Sequence, residues 1–306
     1  DRCIECGFCE PLCPSHRLTL SPRQRIVGWR ELSRRTAARE SPGPAAADFA
    51  YQGLDTCAGC GLCSTACPVG IDTGELIRRL RGRRLNPGSR RLGTWAVDHF
   101  DTVASISRSG LAVGHLAATV MGDKVLGALS GGAWKRSMPR PDRSLAQPAG
   151  IGDPVVYFPA CGGRIFGPSG NGEPGLADTV IRLLERAGYA PRLPDGFEGL
   201  CCGQMLASKG MANEADVMSR NLEAALLAVS DGGRLPVIMD ASTCSARMQK
   251  HLAGRLKLYD FHEFAHDALL PRLLLKKKPG PVALHVNCSV RKNAADAKLR
   301  RVVAAC

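Results

Sequence analysis

Cys3, Cys6, Cys9 and Cys13, closed by Pro14, return as Cys57, Cys60, Cys63 and Cys67, closed by Pro68. The repeated spacing C-x2-C-x2-C-x3-C-P constrains the fold more than any other feature of the chain. Three thiolates separated by pairs of residues wrap a turning loop around an Fe4S4 cube, whereas a tetrahedral zinc ion needs only two such pairs and leaves the other cysteines idle. Duplicated, the pattern belongs to a chain holding two [4Fe-4S] cubanes, with the fourth cysteine of each run crossing to the other cluster. That rule assigns Cys3, Cys6, Cys9 and Cys67 to one cluster and Cys57, Cys60, Cys63 and Cys13 to the other. The prolines, with φ fixed, turn the chain away after each crossing cysteine, and Gly7, Gly59 and Gly61 let the backbone pass close to inorganic sulfide. A zinc-binding interaction protein without redox chemistry is the remote alternative.

A length of 306 residues with 44% hydrophobic content suits two domains and a sizeable core. Of the 14 cysteines, eight are used in the two runs. A chain this long needs no disulfide staples, so a reducing, cytoplasmic compartment is expected. No signal peptide is visible, and the most apolar stretch, 109–122, is 14 residues long, too short to span a bilayer. Membrane contact would be peripheral, on the inner face. The formal charge of +13 and the basic run over 78–84 invite a nucleic-acid reading. No aromatic platform or recognition motif accompanies the charge, so nucleic acid is not an expected partner. Two oxidised cubanes at about −2 each would bring the balance to roughly +9, and most of the arginines are expected on a solvated helix face. The chain begins at Asp1 without methionine and stops at Cys306 in a helical pattern, as a piece of a longer polypeptide would.

The runs are separated by 43 residues, which are expected to be helical. Ser21, Pro22 and Gln24 make a capping box with proline in the first turn, followed by Ile26, Trp29 and Leu32 at helical spacing, and 41–44 ends the segment. Asp72 to Glu75 opens a second helix over 76–84. Residues 1–84 therefore read as an α-helical two-cluster ferredoxin-type domain. Residues 85–150 read as a helical segment and linker, with apolar repeats over 97–103 and 111–129 that pack on the cluster domain or dock a partner or membrane. From 151 to 306 the pattern alternates: strands over 155–158, 236–240 and 281–286, helices over 176–187 and 213–230. That is an α/β domain with parallel strands, making the whole α plus α/β.

A second cysteine constellation lies in this part. Cys161 follows the first strand, Cys201 and Cys202 stand in a loop before Gly203, and Cys244 follows the 236–240 strand. Strand ends in such sheets converge on one edge, so the four thiols can meet in a metal or redox site. The apolar run into Cys161 is echoed by the run into Cys288, a partial internal repeat with no second Cys-Cys pair before the end. His285 beside it reads as a strand histidine with satisfied hydrogen bonds.

Cys161, Cys201-Cys202-Gly203, Cys244 and Cys288 resemble the cysteine-rich CCG domain shared by heterodisulfide reductases and the iron-sulfur subunits of glycolate oxidase and anaerobic glycerol-3-phosphate dehydrogenase. The segment from Cys3 to Ile26 resembles the C-terminal half of fused flavin and iron-sulfur D-2-hydroxyacid dehydrogenases, which oxidise D-lactate or D-2-hydroxyglutarate. The likeness covers essentially the whole chain. It implies an upstream FAD domain that oxidises the hydroxyacid, clusters that relay electrons singly, and a quinone or cytochrome acceptor; no catalytic or FAD-binding residue is expected in this chain. A separate iron-sulfur subunit of a glycolate oxidase or glycerol-3-phosphate dehydrogenase complex is the alternative. The chain departs from many CCG units at Arg247, where they carry a further cysteine.

Overall fold

Ser21 caps helix α1 (Pro22–Ala37): its hydroxyl accepts from the Gln24 N–H, the Gln24 side chain accepts from the Ser21 N–H, and Pro22 occupies the first turn. The computed structural model describes residues 2–142, 145, 147–148, 150–168, 174–277 and 279–306. Helix α2 (Thr73–Arg84) starts at Asp72, whose carboxylate accepts from the Glu75 N–H. Both helices belong to a first unit that runs to Gly93 and also takes in Met205–Ala215 and Val282–Asp296. Its core is small: Phe49, Leu54, Ile77 and Leu80, with Leu20, Trp29 and Leu32 packed against them. Gly53 is required there, since a Cβ would come 2.6 Å from the Phe49 ring.

The second unit runs from Thr94 to Gln204, Asp216 to Pro281 and Ala297 to Cys306. Its elements are α3 (Phe100–Met121), β1 (Asp153–Phe158), α4 (Cys161–Ile165), α5 (Leu176–Arg186), β2 (Tyr189–Arg192), most of α6 (Ala212–Val229), β3 (Val237–Met239), α7 (Ser242–Leu252) and β4 (Leu258–Asp260). The sheet is wholly parallel in the order β2-β1-β3-β4, with Val156 level with Val237 and Met239 level with Asp260. Central strands of a parallel sheet are covered on both faces and so lose the alternation of apolar and polar residues. Val155, Val156, Tyr157, Phe158, Val237, Ile238 and Met239 are accordingly all buried, together with Val180, Leu184, Leu222, Leu226, Met248 and Leu252 from the helices. The strand order reverses between β1 and β3, and the crevice beyond their C-terminal ends is where such sheets place their sites.

Helices lie near the expected places at 176–187 and 213–230, and strands near 155–158 and 236–240. The apolar repeats over 97–103 and 111–129 fall in a helix Pro87–Asp98, α3 and a short helix Asp123–Leu129, broken at Gly122 with φ +84°. The strand expected over 281–286 is absent: those residues carry no regular structure, and the chain enters a five-residue helix at Cys288. The apolar run there has no neighbouring strand to pair with, and a strand without a ladder partner does not form. Strands β2 and β4 have no clear sequence signal. The first contains Pro191, which an edge strand tolerates, and the second is three residues long. Among the described residues no helix is long and apolar enough to cross a membrane.

Candidate metal and thiol centres

The first unit folds its eight cysteines around two concavities. One is lined by Cys3, Cys6, Cys9 and Cys67, and the other by Cys13, Cys57, Cys60 and Cys63. Each run thus sends its fourth cysteine to the concavity built by the other run. Thr73, in the first turn of α2, lines both. The thiols of each set surround a space and do not converge on a point: among the described residues no three His, Cys, Asp or Glu side chains could hold a single metal ion. A cubane, whose four irons stand at separate corners, asks for such a wide arrangement.

The electrostatics fit the same group. Burial and the neighbouring Cys63 push the Cys9 thiol up to about 11. Burial pushes Cys60 to about 11 and raises Cys57, opposed at Cys57 by the Gly59 N–H and by Arg25 and Arg81. Burial raises Cys63 too, while Thr73 and Gly74 at the N-terminus of α2 donate to its sulfur and pull the other way. Four such thiols ionise together only around cationic metal, which inverts the local balance and takes them as thiolates. Arg25, 1% exposed, donates from Nη1 to the Cys13 sulfur at 3.7 Å, from Nε to Gly53 O at 2.9 Å and from Nη2 to Ser15 Oγ at 3.1 Å. Among the described residues, no carboxylate is one of its hydrogen-bond partners.

The basic run over 78–84 divides its labour. Arg79, Arg83 and Arg84 are exposed, as a solvated face requires, but Arg78 donates to Gly59 O at 2.5 Å and Arg81 to Cys57 O at 2.6 Å and Leu54 O at 2.5 Å. These two pin the loop that carries Cys57 to Cys60. Gly59 and Gly61, with φ of +60° and +71°, shape the same loop.

In the second unit Cys161 opens α4 beyond β1, and Cys244 lies in the first turn of α7 beyond β3. The Cys161 and Cys201 sulfurs are 4.0 Å apart. Cys202 in turn acts on Cys201, and Cys244 on Cys202, so the four thiols are neighbours in a row. The contact with Cys201, then burial, raises Cys161. Cys161 pulls Cys201 down, but Cys202 and burial outweigh it and leave Cys201 at about 11. Cys202 is likewise pulled down by Cys201 and pushed up further by Cys244 and burial, to about 12.

Two arginines and one aspartate hold the row. Arg164, 4% exposed and one turn beyond Cys161, donates to Leu200 O at 2.6 Å and to Phe197 O, its guanidinium 5.3 Å and 5.7 Å from the Phe158 and Phe197 ring centres. Its Nε has no hydrogen-bond partner among the described residues. Arg247, one turn beyond Cys244, donates to Cys202 O at 2.7 Å, Ser219 Oγ at 3.0 Å and Asp216 at 2.9 Å. At the position where many CCG units have a cysteine, this chain therefore clamps the Cys-Cys peptide. Asp240, at the end of β3, accepts from Tyr157 Oη at 2.7 Å and from the Ala160 N–H at 2.8 Å, which fixes the turn from β1 into Cys161.

Cys288 stands apart from this row. It belongs to the first unit, where it is one of the neighbours that, after burial, push the Cys60 thiol up. The repeat with Cys161 survives as two five-residue helices, each opened by its cysteine. His285 is exposed and outside any strand, in place of the expected strand position. Arg25, Arg164, Thr73 and Asp240 have no distinguishing mark in the sequence beyond Arg164 lying three residues after Cys161.

Residues 1–71 match the family described as the 4Fe-4S dicluster domain. The chain is 25% identical over 235 residues to one subunit of the dihydromethanophenazine:CoB–CoM heterodisulfide reductase of Methanosarcina mazei, covering 71% of this chain and 49% of that protein. It is 24% identical over 257 residues to the corresponding protein of Methanosarcina acetivorans, covering 80% and 55%. With a probable glycolate oxidase iron-sulfur subunit of Bacillus subtilis it shares 23% identity over 277 residues, covering 81% and 58%. The chain spans about half the length of these curated relatives. No solved structure matches it.

Proposed function

We propose that the chain is the iron-sulfur electron-transfer part of a flavin-linked D-2-hydroxyacid dehydrogenase, with D-lactate or D-2-hydroxyglutarate as substrate. It takes electrons from FAD on an upstream domain or partner subunit and passes them to a quinone or cytochrome. The observation that carries this reading is the pair of four-thiol concavities that share Thr73. Cys3, Cys6, Cys9 and Cys67 would hold one cluster, and Cys57, Cys60, Cys63 and Cys13 the second. When bound, the clusters supply two one-electron stations side by side, which a two-electron flavin donor needs to discharge in single steps. Arg25, Thr73 and Gly74 direct hydrogen bonds at the ligand sulfurs of the second and favour its reduced, more negative form. Cys161, Cys201, Cys202 and Cys244 are proposed as a third site, for an iron-sulfur cluster or for redox chemistry of the thiols themselves.

Glycolate, named in the Bacillus relative, is itself a 2-hydroxy acid, so that relative and the resemblance of the Cys3 to Ile26 segment meet in one substrate class. The same relative favours the second reading, a separate iron-sulfur subunit of a glycolate oxidase or anaerobic glycerol-3-phosphate dehydrogenase type of complex.

The test is to purify the protein anaerobically with the flavoprotein encoded beside or upstream of it. D-lactate, D-2-hydroxyglutarate, glycolate and glycerol 3-phosphate are then added singly. The expected result is at least about eight irons per chain and bleaching of the iron-sulfur absorbance by one of the 2-hydroxy acids. Reduction by glycerol 3-phosphate alone moves the assignment to the second reading. Zinc without acid-labile sulfide sinks both.

A further inference from the structure

We infer that a basic cleft beside Cys57 is where the second cluster exchanges electrons, and that it docks the acidic surface of a partner redox protein. The inference rests on the reading of Cys13, Cys57, Cys60 and Cys63 as cluster ligands.

The cleft, of about 510 Å³, lies within the first unit, and its lining includes Asp55, Cys57, Arg81, Arg84, Ser208 and Lys209. Cys57 also lines the second concavity, so cleft and concavity share a ligand residue. Electron transfer weakens steeply with distance, and a partner seated in the cleft stands one residue from the cluster. The walls are fixed beforehand. Arg81, in α2, donates to Cys57 O at 2.6 Å and to Ser208 O at 2.7 Å, so one guanidinium ties the ligand loop to the segment that carries Lys209. Beside it Gly82 and Gly210 let the two backbones touch: a Cβ on Gly82 would come 2.5 Å from Gly210 O, and Gly210 has a φ of +89°.

The charge of the cleft is unbalanced. Arg81, Arg84 and Lys209 are set against a single carboxylate, that of Asp55. Arg84 and Lys209 are exposed, and neither has an ion-pair partner among the described residues. Arg79, on the same helix, is by contrast paired with Glu75. Small-molecule sites are enclosed and mostly apolar, whereas this cleft is open and lined by charge. Cations at an open rim attract the acidic side chains of a protein, which speeds encounter and makes it sensitive to salt. One electron crosses in each encounter, and no bond or proton changes hands.

The experiment uses the anaerobically purified, dithionite-reduced full chain and two oxidants, an acidic b-type cytochrome and a basic c-type cytochrome, in a stopped-flow spectrometer at low and high salt. Native protein is compared with Arg84→Glu/Lys209→Glu, Arg84→Gln/Lys209→Gln and Arg79→Glu. Charge reversal at Arg84 and Lys209 should slow oxidation by the acidic cytochrome about tenfold at low salt, with the difference fading at high salt, and should not slow the basic cytochrome. The glutamine pair is expected between native and reversed protein, and Arg79→Glu at the native rate. A second readout needs no electron transfer: the acidic cytochrome should protect Lys209 from acetylation, followed by mass spectrometry. Equal slowing in Arg79→Glu, or an unchanged rate after reversal at Arg84 and Lys209, overturns the inference. Iron-loaded protein whose Lys209 stays open to acetylation beside the acidic cytochrome overturns it as well and leaves the cluster reading standing. Purified protein without iron overturns the cluster reading, and this inference with it.

Discussion

Buried guanidinium groups without carboxylate partners are costly, because a desolvated charge needs compensation from its surroundings. Arg25 and Arg164 are both of this kind, and each lies against a set of thiols. Arg25→Met removes the donor to the Cys13 sulfur, and the second cluster's reduction potential should fall by tens of millivolts, read by redox titration under EPR. Arg23→Met, at an exposed side chain paired with Glu10, should leave that potential in place. Arg164→Met orphans the Leu200 carbonyl and takes one of two donors from the Phe197 carbonyl, which keeps the Leu200 N–H, and should cost about 1–3 kcal/mol of stability, with the thermal melt of the second unit moving down and Arg164→Lys restoring part of it. The raised thiols of Cys201 and Cys202 give a pH signature in metal-free protein. Below the ordinary thiol value of about 8.5 the folded and unfolded chains both keep these protons. Between there and about 11 to 12 only the fold keeps them, so stability falls as pH rises through that window. Thermal melts across the window should show the decline, and Cys201→Ser should flatten it.

At the level of elements, what the sequence makes visible is what chain-local chemistry controls. The capping box at Ser21 and the N-cap at Asp72 name their partners three residues away, and both helices start where those residues stand. The amphipathic spacing over 176–187 delivers α5 with Ala177, Val180, Ile181 and Leu184 inward. The strands are less legible. β2 and β4 exist because β1 and β3 offer them edges, and the 281–286 run, apolar but without such an edge, stays irregular. Asp240 joins the ends of β1 and β3 through Tyr157 and Ala160. Asp240→Ala leaves a buried hydroxyl and a buried N–H without an acceptor and should destabilise by about 2–3 kcal/mol, measured by urea unfolding. Cys161 should become more reactive to alkylation in that variant, since the turn that carries it is no longer held.

For the molecule as a whole, the two units differ in what holds them together. The sheet unit has one core that runs from Val155 through Leu269, whereas the largest group among the first unit's described core clusters has four buried side chains, with Ile26, Leu62, Met211 and Val290 buried outside it. A core so small seldom sustains a fold by itself, and bound metal then supplies folding free energy. Stripping iron with a chelator and an oxidant should therefore remove one calorimetric transition and leave the other close to its original temperature. Loss of both transitions would show that the sheet unit depends on the clusters too. The formal charge of +13 belongs to this scale as well. Part of it is committed internally, at Arg25, Arg78, Arg81, Arg164 and Arg247 among others.

The sequence by itself determined the number of cluster cysteines and their spacing, because metal chemistry prescribes both within a short stretch of chain. It also determined the helices that carry their own caps and the buried central strands. The tertiary structure alone decided what surrounds those thiols. Arg25 against the Cys13 sulfur, Thr73 on the lining of both concavities, Arg247 on the Cys202 carbonyl and Asp240 on the Tyr157 hydroxyl join residues that no spacing rule connects. Contacts of this kind are set by how sheets and helices pack, and no local pattern of residues records them.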